Sequence, residues 1–300
     1  MGSFVISIDA ELAWGFHDLS EFPTDRIETG RDGWSWLLDC LNEHSIPATW
    51  AVVGHLMLDD CDGVHADLPS IDGWFDHERD RWSDRSDLRF SPDLVDDVVQ
   101  SETDHEIASH TFSHVLFDDP RVTERIARSE LDAAVEAANR FGIDYETLIF
   151  PRNAVGYREL LDEFGFTCYR SRRPRPSSTP GRIAEKLLAA VDPNHLNLIT
   201  PTVDEYGLVD VPPSLYLFGF EGWPRQVAGT VGVDPIVRQA KRGIDRASRT
   251  DGLFHVWLHP NDICTEQDER RIASIVAYAA QKRDTTSLSV ETMATVADRS

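Results

Sequence analysis

"HEIASHTFSH", His105–His114, is the stretch on which the reading of this chain turns. Its first half, His105–His110, is a short run around Ile107 and Ala108 and reads as a buried strand. Its second half sets His110 and His114 four residues apart where that strand ends. Two histidines so spaced fit a metal-binding pair. They fit two polar residues at helical spacing just as well, so the surrounding chain has to separate the two readings.

Outward from this strand, strand and helix signals alternate. "FVISID" (Phe4–Asp9) reads as a buried strand. "RDGWSWLLDCLNEH" (Arg31–His44) sets Trp34, Leu37, Leu38 and Leu41 at helical spacing. "IPATWAVVG" (Ile46–Gly54) is a second strand after a turn at Pro47, and His105–His110 a third. "TERIARSELDAAVEAANRFG" (Thr123–Gly142) is a long helix with a capping threonine and a glycine stop. "TLIFP" (Thr147–Pro151), "YRELLDEFG" (Tyr157–Gly165) and "FTCYRS" (Phe166–Ser171) read as strand, helix and strand. "LVDVPPS" (Leu208–Ser214) and "LFHVWLHP" (Leu253–Pro260) are later strands. One helix (235–247) lies between them and another (266–282) follows.

Such alternation implies a parallel sheet with helices outside, and this many units in one chain favour closure into a barrel. No linker divides the sequence, so residues 1–300 read as one domain. Residues 59–92, with "GWFDHERDRWSD" (Gly73–Asp84) at their centre, are too long and polar for an ordinary connection. They read as an insertion that shapes a site or as an acidic surface loop. "RSRRPRPSSTPG" (Arg170–Gly181) reads as a loop that pairs with nearby acids or meets an anion such as phosphate.

With 41% hydrophobic residues in 300, a substantial core is available. No apolar run is long enough to cross a bilayer. "MGSFVISIDAELAWG" (Met1–Gly15) lacks the pattern of a signal peptide, and the expectation is a cytoplasmic protein. Cys40, Cys61, Cys168 and Cys264 are scattered and form no CxxC, which argues against a zinc knuckle or redox dithiol. The net charge is -23, and Lys186, Lys241 and Lys282 are the only lysines. Nucleic acid or an anionic membrane surface would repel such a chain. The dispersed acids resemble those of salt-in halophilic archaeal proteins, so the charge speaks of the solvent and not of the substrate. No segment sets an oligomeric state.

In parallel α/β folds, function gathers at the carboxyl ends of strands. Asp9 and Glu11, with Trp14 close behind, follow the first strand. His110 and His114 follow the third, Arg152 and Asn153 the fourth, and His259 the late strand. Two histidines and a carboxylate from different strands make a facial metal site with open positions, as in zinc hydrolases and non-haem iron enzymes. A second carboxylate as base, an arginine to hold it and a further histidine as acid would complete a metal-assisted hydrolase.

"HTFSH" (His110–His114) fits the H-[ST]-x-x-H motif of the polysaccharide deacetylases, carbohydrate esterase family 4, whose fold is the NodB-homology domain. "ISIDAE", "GWSWLLDCLNEHSIPATWAVVG", "FPRNAVGY" and "VWLHP" resemble further segments of that family in the same order, from Phe4 to about Met293. The resemblance implies a distorted (β/α) barrel, parallel strands with outer helices, and a hydrolase acting on a carbon–nitrogen amide bond. The implied reaction is metal-dependent removal of the N-acetyl group from an amino sugar in a glycan or glycan precursor. It implies Asp9 as general base, Arg152 as the residue that orients it and His259 as general acid. His110 and His114 become ligands of a divalent metal, foremost Zn2+, and backbone amides near Asn153 an oxyanion hole. Where the family has two adjacent aspartates this chain has Asp9–Ala10, with Glu11 one residue later. Glu11 is therefore the expected third ligand, the exchanged roles of Asp9 and Glu11 being the alternative. Trp14 and Trp74, with Phe75 and Trp82, are candidates to stack on sugar rings. The other readings are a cyclic amide or ureide hydrolase of the allantoinase-like branch and a metal-free carbohydrate-binding relative.

Overall fold

The structure, a computed structural model, describes residues 1–16, 19, 21, 23–61, 68–75, 85–172, 198–219 and 234–300. Ser3–Ala10 forms β1, and all eight of its residues are buried. A parallel strand covered on both faces needs a nearly continuous apolar run, which "FVIS" begins. Thr24–Glu28 (α1) and Gly30–Glu43 (α2) follow, and α2 buries Trp34, Leu37, Leu38 and Leu41 as their spacing predicts. Thr49–Val52 (β2), Pro92–Val99 (α3), Glu106–Ser109 (β3), Glu124–Asn139 (α4), Thr147–Ile149 (β4) and Cys168–Arg170 (β5) continue the alternation. Thr123 caps α4, its side chain accepting from the Ile126 amide.

Three short strands come next: Thr202–Val203 (β6), Val209–Asp210 (β7) and Leu215–Tyr216 (β8). Pro235–Ala247 (α5), Leu253–Leu258 (β9), Glu266–Thr285 (α6), Ser289–Glu291 (β10) and Met293–Ala297 (α7) complete the chain. The sheet runs β6-β7-β5-β4-β3-β2-β1-β9-β8, with β10 beside the start of β1. Among the described residues β6 and β7 are the one antiparallel strand pair, beside an isolated antiparallel bridge between Ile199 and Leu253. The result is a parallel sheet curled into a half-barrel with helices outside, the fold class the alternation and the resemblance imply. No ladder joins β7 to β8 among the described residues, and there the barrel is distorted.

The differences from the sequence expectation are local. The helix expected at Tyr157–Gly165 is present as a 3₁₀ helix, Arg158–Phe164. β6, β8 and β10 were not legible, because two or three residues carry no periodicity. Of the Arg170–Gly181 loop only Arg170–Arg172 are described, and Trp82 also lies outside the described residues. No helix among the described residues is long and apolar enough to cross a membrane.

Candidate active site

β1 delivers Asp9 at its end and Glu11 just beyond it. Both side chains are buried, at 2% and 5% exposure, so their charges need partners. Asp9 is gripped by Arg170, the last residue of β5, through Nη1 to Oδ1 at 2.7 Å and Nη2 to Oδ2 at 2.6 Å. Such a forked pair is the strong form of a charge-assisted bond. Arg170 also donates from Nε to Asn153 Oδ1 at 2.9 Å, and its guanidinium lies 4.6 Å from the Trp257 ring centre. Burial pushes the Asp9 carboxyl pKa up, but Arg170 above all holds it below the usual carboxylate value.

Two expectations change here. Arg152 does not hold Asp9. It is exposed, sits in the left-handed region at φ 52° and donates to the Gly15 carbonyl at 3.5 Å. Arg170 holds Asp9 instead, because the curl of the sheet carries the end of β5 across to the end of β1. Nor is the Asn153 amide aimed at a substrate. Its N–H donates to Phe150 O at 2.8 Å, closing a tight turn, while its side chain braces Arg170.

Glu11 meets the histidines. Its Oε2 is 3.0 Å from His114 Nε2 and 3.4 Å from His110 Nε2. One ligand atom from each of Glu11, His110 and His114 can be chosen so that all lie within 4.8 Å of one another. His110 Nδ1 is 2.7 Å from the Ile149 carbonyl, which can only accept, so Nδ1 carries the proton. In the neutral ring Nε2 is then a lone pair. It is buried, has no hydrogen-bond partner and faces a carboxylate oxygen. Two electron-rich atoms facing each other in the interior need a proton or a metal cation between them, and a metal would satisfy both. The Nδ1 bond also holds a metal-binding histidine in its ligating tautomer. Burial pushes the His114 pKa down, favouring the neutral form that ligates. Burial would raise the Glu11 pKa, but the His259 charge foremost pulls it well below the usual value. These residues fit a divalent metal.

The pair does not lie on a helix. Thr111 and His114 both adopt left-handed backbone, at φ 61° and 60°, so a folded loop brings the two rings together. Such conformations cost about 1–3 kcal/mol each for non-glycine residues and persist only where the surroundings enforce them. Glu130 of α4 supplies that enforcement. Its carboxylate accepts from the amides of Phe112 at 3.1 Å and Ser113 at 2.8 Å, and from the Ser113 hydroxyl at 2.5 Å. Trp74 donates from its indole to Ser113 O at 3.0 Å. Gly15 is required by close approach: a Cβ there would stand 2.0 Å from Glu11 Oε1.

His259 follows β9 on the other side of the two carboxylates. Its Nε2 is 3.7 Å from Glu11 Oε1 and 3.9 Å from Asp9 Oδ2. Its Nδ1 is 2.9 Å from Asp262 Oδ2, which also accepts from the Tyr216 hydroxyl at 2.6 Å. Arg26 pairs with the other Asp262 oxygen. Burial opposes protonation of the ring, yet Glu11 and then Asp262 push its pKa up to about 9. Sequence reasoning missed Asp262, Tyr216 and Glu130. The signal for Asp262 was present in the His-x-x-Asp spacing of "HPND". Glu130 and Tyr216 carried none.

The aromatic candidates take other positions. Trp14 is buried, stacks on His55 with ring centres 4.1 Å apart and donates its indole N–H to Arg89 O. Trp74 is buried under the histidine loop. Both are core residues that support the site and do not offer an open face to a sugar ring.

A carboxylate, two histidines, an arginine-held aspartate and an aspartate-held histidine at the open end of a parallel half-barrel are the groups a metal-assisted hydrolase uses, gathered around a candidate metal centre. Residues 24–160 match the family model described as polysaccharide deacetylase. The whole-chain fold agrees with that similarity to the polysaccharide deacetylases. No curated protein matches the sequence. Among solved structures, a Mycobacterium smegmatis protein assigned as a polysaccharide deacetylase shares the fold, with TM-score 0.63 and 16% identity over 99% of this chain and 89% of its own. A Pseudomonas aeruginosa PAO1 protein assigned likewise superposes with TM-score 0.58 and 13% identity, over 99% and 89%. The PuuE allantoinase does so with TM-score 0.60 and 14% identity, over 99% and 88%.

Proposed function

We propose that the protein is a metal-dependent deacetylase that hydrolyses the N-acetyl amide of an amino sugar, in a glycan or glycan precursor. The observation that carries this reading is the buried Glu11, facing His110 Nε2, a lone-pair nitrogen without a hydrogen-bond partner. Glu11, His110 and His114 would hold a divalent metal, with Zn2+ the first choice for a site of three protein ligands. When bound, it supplies Lewis-acid polarisation of the acyl carbonyl and a lowered pKa for water.

The chain's own residues supply the rest. Asp9, kept ionised by Arg170, takes the proton of the attacking water. Arg170 holds both Asp9 oxygens and so fixes the direction of that transfer. His259 enters protonated, its Nδ1–H directed to Asp262, and gives the Nε2 proton to the leaving nitrogen as the carbon–nitrogen bond breaks. The products are acetate and the free amine. A raised pKa suits His259 to the acid role, and a carboxylate held by arginine suits Asp9 to the base role.

The test is release of amine from N-acetylglucosamine oligomers, measured beside hydantoin-type rings, before and after removal of metal by chelation. Amine release that chelation abolishes and added Zn2+ restores is the expected result. Ring opening without amine release would move the protein to cyclic amide hydrolysis. Turnover unchanged by chelation, or no metal in elemental analysis of the pure protein, would overturn the metal-dependent reading.

A further inference from the structure

Below the site, polar residues continue down the inside of the half-barrel. Ser7 and Asp9 fall on one side of β1, and His255, Trp257 and His259 on one side of β9. The two strands pair with Val5 opposite His255 and Ser7 opposite Trp257. Ser7 and His255 are fully buried, and the mechanism above uses neither. A serine and a histidine in the interior cost free energy unless they are satisfied, and both are.

Their bonds form a chain with one direction. His255 Nδ1 is 3.3 Å from the Pro212 carbonyl, an acceptor only, so Nδ1 carries the proton. Burial, then the nearby Arg170 charge, keeps the ring neutral, with its pKa pushed down to about 3. Nε2 is therefore an acceptor, and the Ser7 hydroxyl donates to it at 2.8 Å. With its proton so committed, Ser7 Oγ turns a lone pair to Arg170 Nη1 at 3.0 Å. Arg170 then has Ser7 on one flank, Asn153 on the other, Trp257 against its face and Asp9 across its fork.

We propose that Ser7 and His255 are positioning residues of the hydrolysis: together they lock the rotation of the Arg170 guanidinium and so fix the direction in which Asp9 presents its oxygens. Neither touches substrate or metal. A bidentate pair fixes two carboxylate oxygens only if the guanidinium itself cannot swing, and Ser7 Oγ is the contact that stops it on the Nη1 side. This inference rests on the reading of the protein as an amide hydrolase with Asp9 as base.

The experiment uses the full-length protein and the variants Ser7→Ala, His255→Leu, His255→Gln and the Ser7→Ala/His255→Leu double. Steady-state kinetics on an N-acetylglucosamine oligomer is combined with metal stoichiometry and with 15N NMR of Arg170 side-chain rotation. Ser7→Ala is expected to lower kcat about tenfold, the scale of one hydrogen bond to a charged group, with KM within about twofold. Metal content stays as in the parent, and guanidinium rotation becomes faster. His255→Leu gives the same pattern. His255→Gln, whose amide can both donate to Pro212 and accept from Ser7, recovers most of that loss. The double variant is no worse than either single one, because both act through one chain of bonds.

Unchanged kcat and unchanged Arg170 rotation in Ser7→Ala would overturn the proposal. So would losses that multiply in the double variant, or a fall in metal content that parallels the fall in kcat. Ser7→Ala removes one oxygen and keeps the backbone, so it carries the test if His255→Leu fails to fold. The rotation measurement needs no turnover. A parent protein that releases no amine but holds Arg170 rigid would refute the functional reading and leave the positioning intact.

Discussion

At the scale of single residues, the site is built by giving each buried charge a dedicated partner. Asp9 has Arg170, Glu11 has the two histidines, and His259 has Asp262. Glu11→Gln keeps the shape but removes the anionic member of the proposed metal site. Metal content should fall well below one per chain, and kcat by more than about a hundredfold, the scale seen for disturbed metal shells. Elemental analysis and kinetics check both. His259→Ala should lower kcat by about two to four orders of magnitude, as loss of a general acid does. The pH profile has a definite sign. In the proposed reaction His259 acts as its protonated form, and its folded-state pKa is raised to about 9, so activity should fall as pH rises through about 9. Asp262→Asn removes one of the charges that raise it, and the alkaline limb should move to lower pH. The Glu11 site was legible as a pattern of residue types. The Arg170 role was not, because nothing in "FTCYRS" says which strand end its side chain will face.

At the scale of elements, the histidine loop depends on α4. Three hydrogen bonds converge on Glu130 and hold a segment that contains two left-handed residues. Glu130→Ala would leave two buried amides unsatisfied, at about 1–3 kcal/mol each. The expected outcome is a lower midpoint in denaturant and a metal affinity reduced about 10–100-fold, the range for residues supporting metal ligands. Titration of the metal-free protein measures the second. An unchanged affinity would mean that the loop holds its shape without α4. Helix boundaries were readable from apolar spacing and a cap, as Thr123 illustrates. The loop after β3 was not, since the His110–His114 spacing is the same on a helix and on this turn, and only packing against Glu130 and Trp74 chooses.

At the scale of the whole molecule, charge and buried histidines set the response to solvent. A net charge of -23 destabilises the compact state by self-repulsion, which salt screens. Thermal stability should therefore rise with salt towards the molar range, as a melting series would show. Acid should act the other way. Burial depresses the pKa of His105 to about 4 and, with the Arg170 charge, that of His255 to about 3. Each ring is neutral when folded, so the unfolded chain binds more protons below about pH 6.5. Their contribution is full above that value and is lost as pH falls through about 4. Glu106 and Asp210, whose pKa values burial raises, oppose this only in the carboxylate range. Denaturant midpoints between pH 7 and pH 4 would test the sign.

The amino-acid sequence by itself determined the parallel strand–helix alternation, because apolar periodicity is a local property of the chain. It also determined the set of chemically able residues at strand ends, because a carboxylate or imidazole is itself wherever it lies. Tertiary structure alone decided the pairing among them. Arg170 rather than Arg152 holds Asp9, Glu11 meets His110 and His114, and Trp14 and Trp74 pack inside instead of facing a substrate. Those choices follow from the curl of the sheet, which brings β1, β3, β5 and β9 to one rim. Contacts between residues more than a hundred positions apart leave no local trace in the chain.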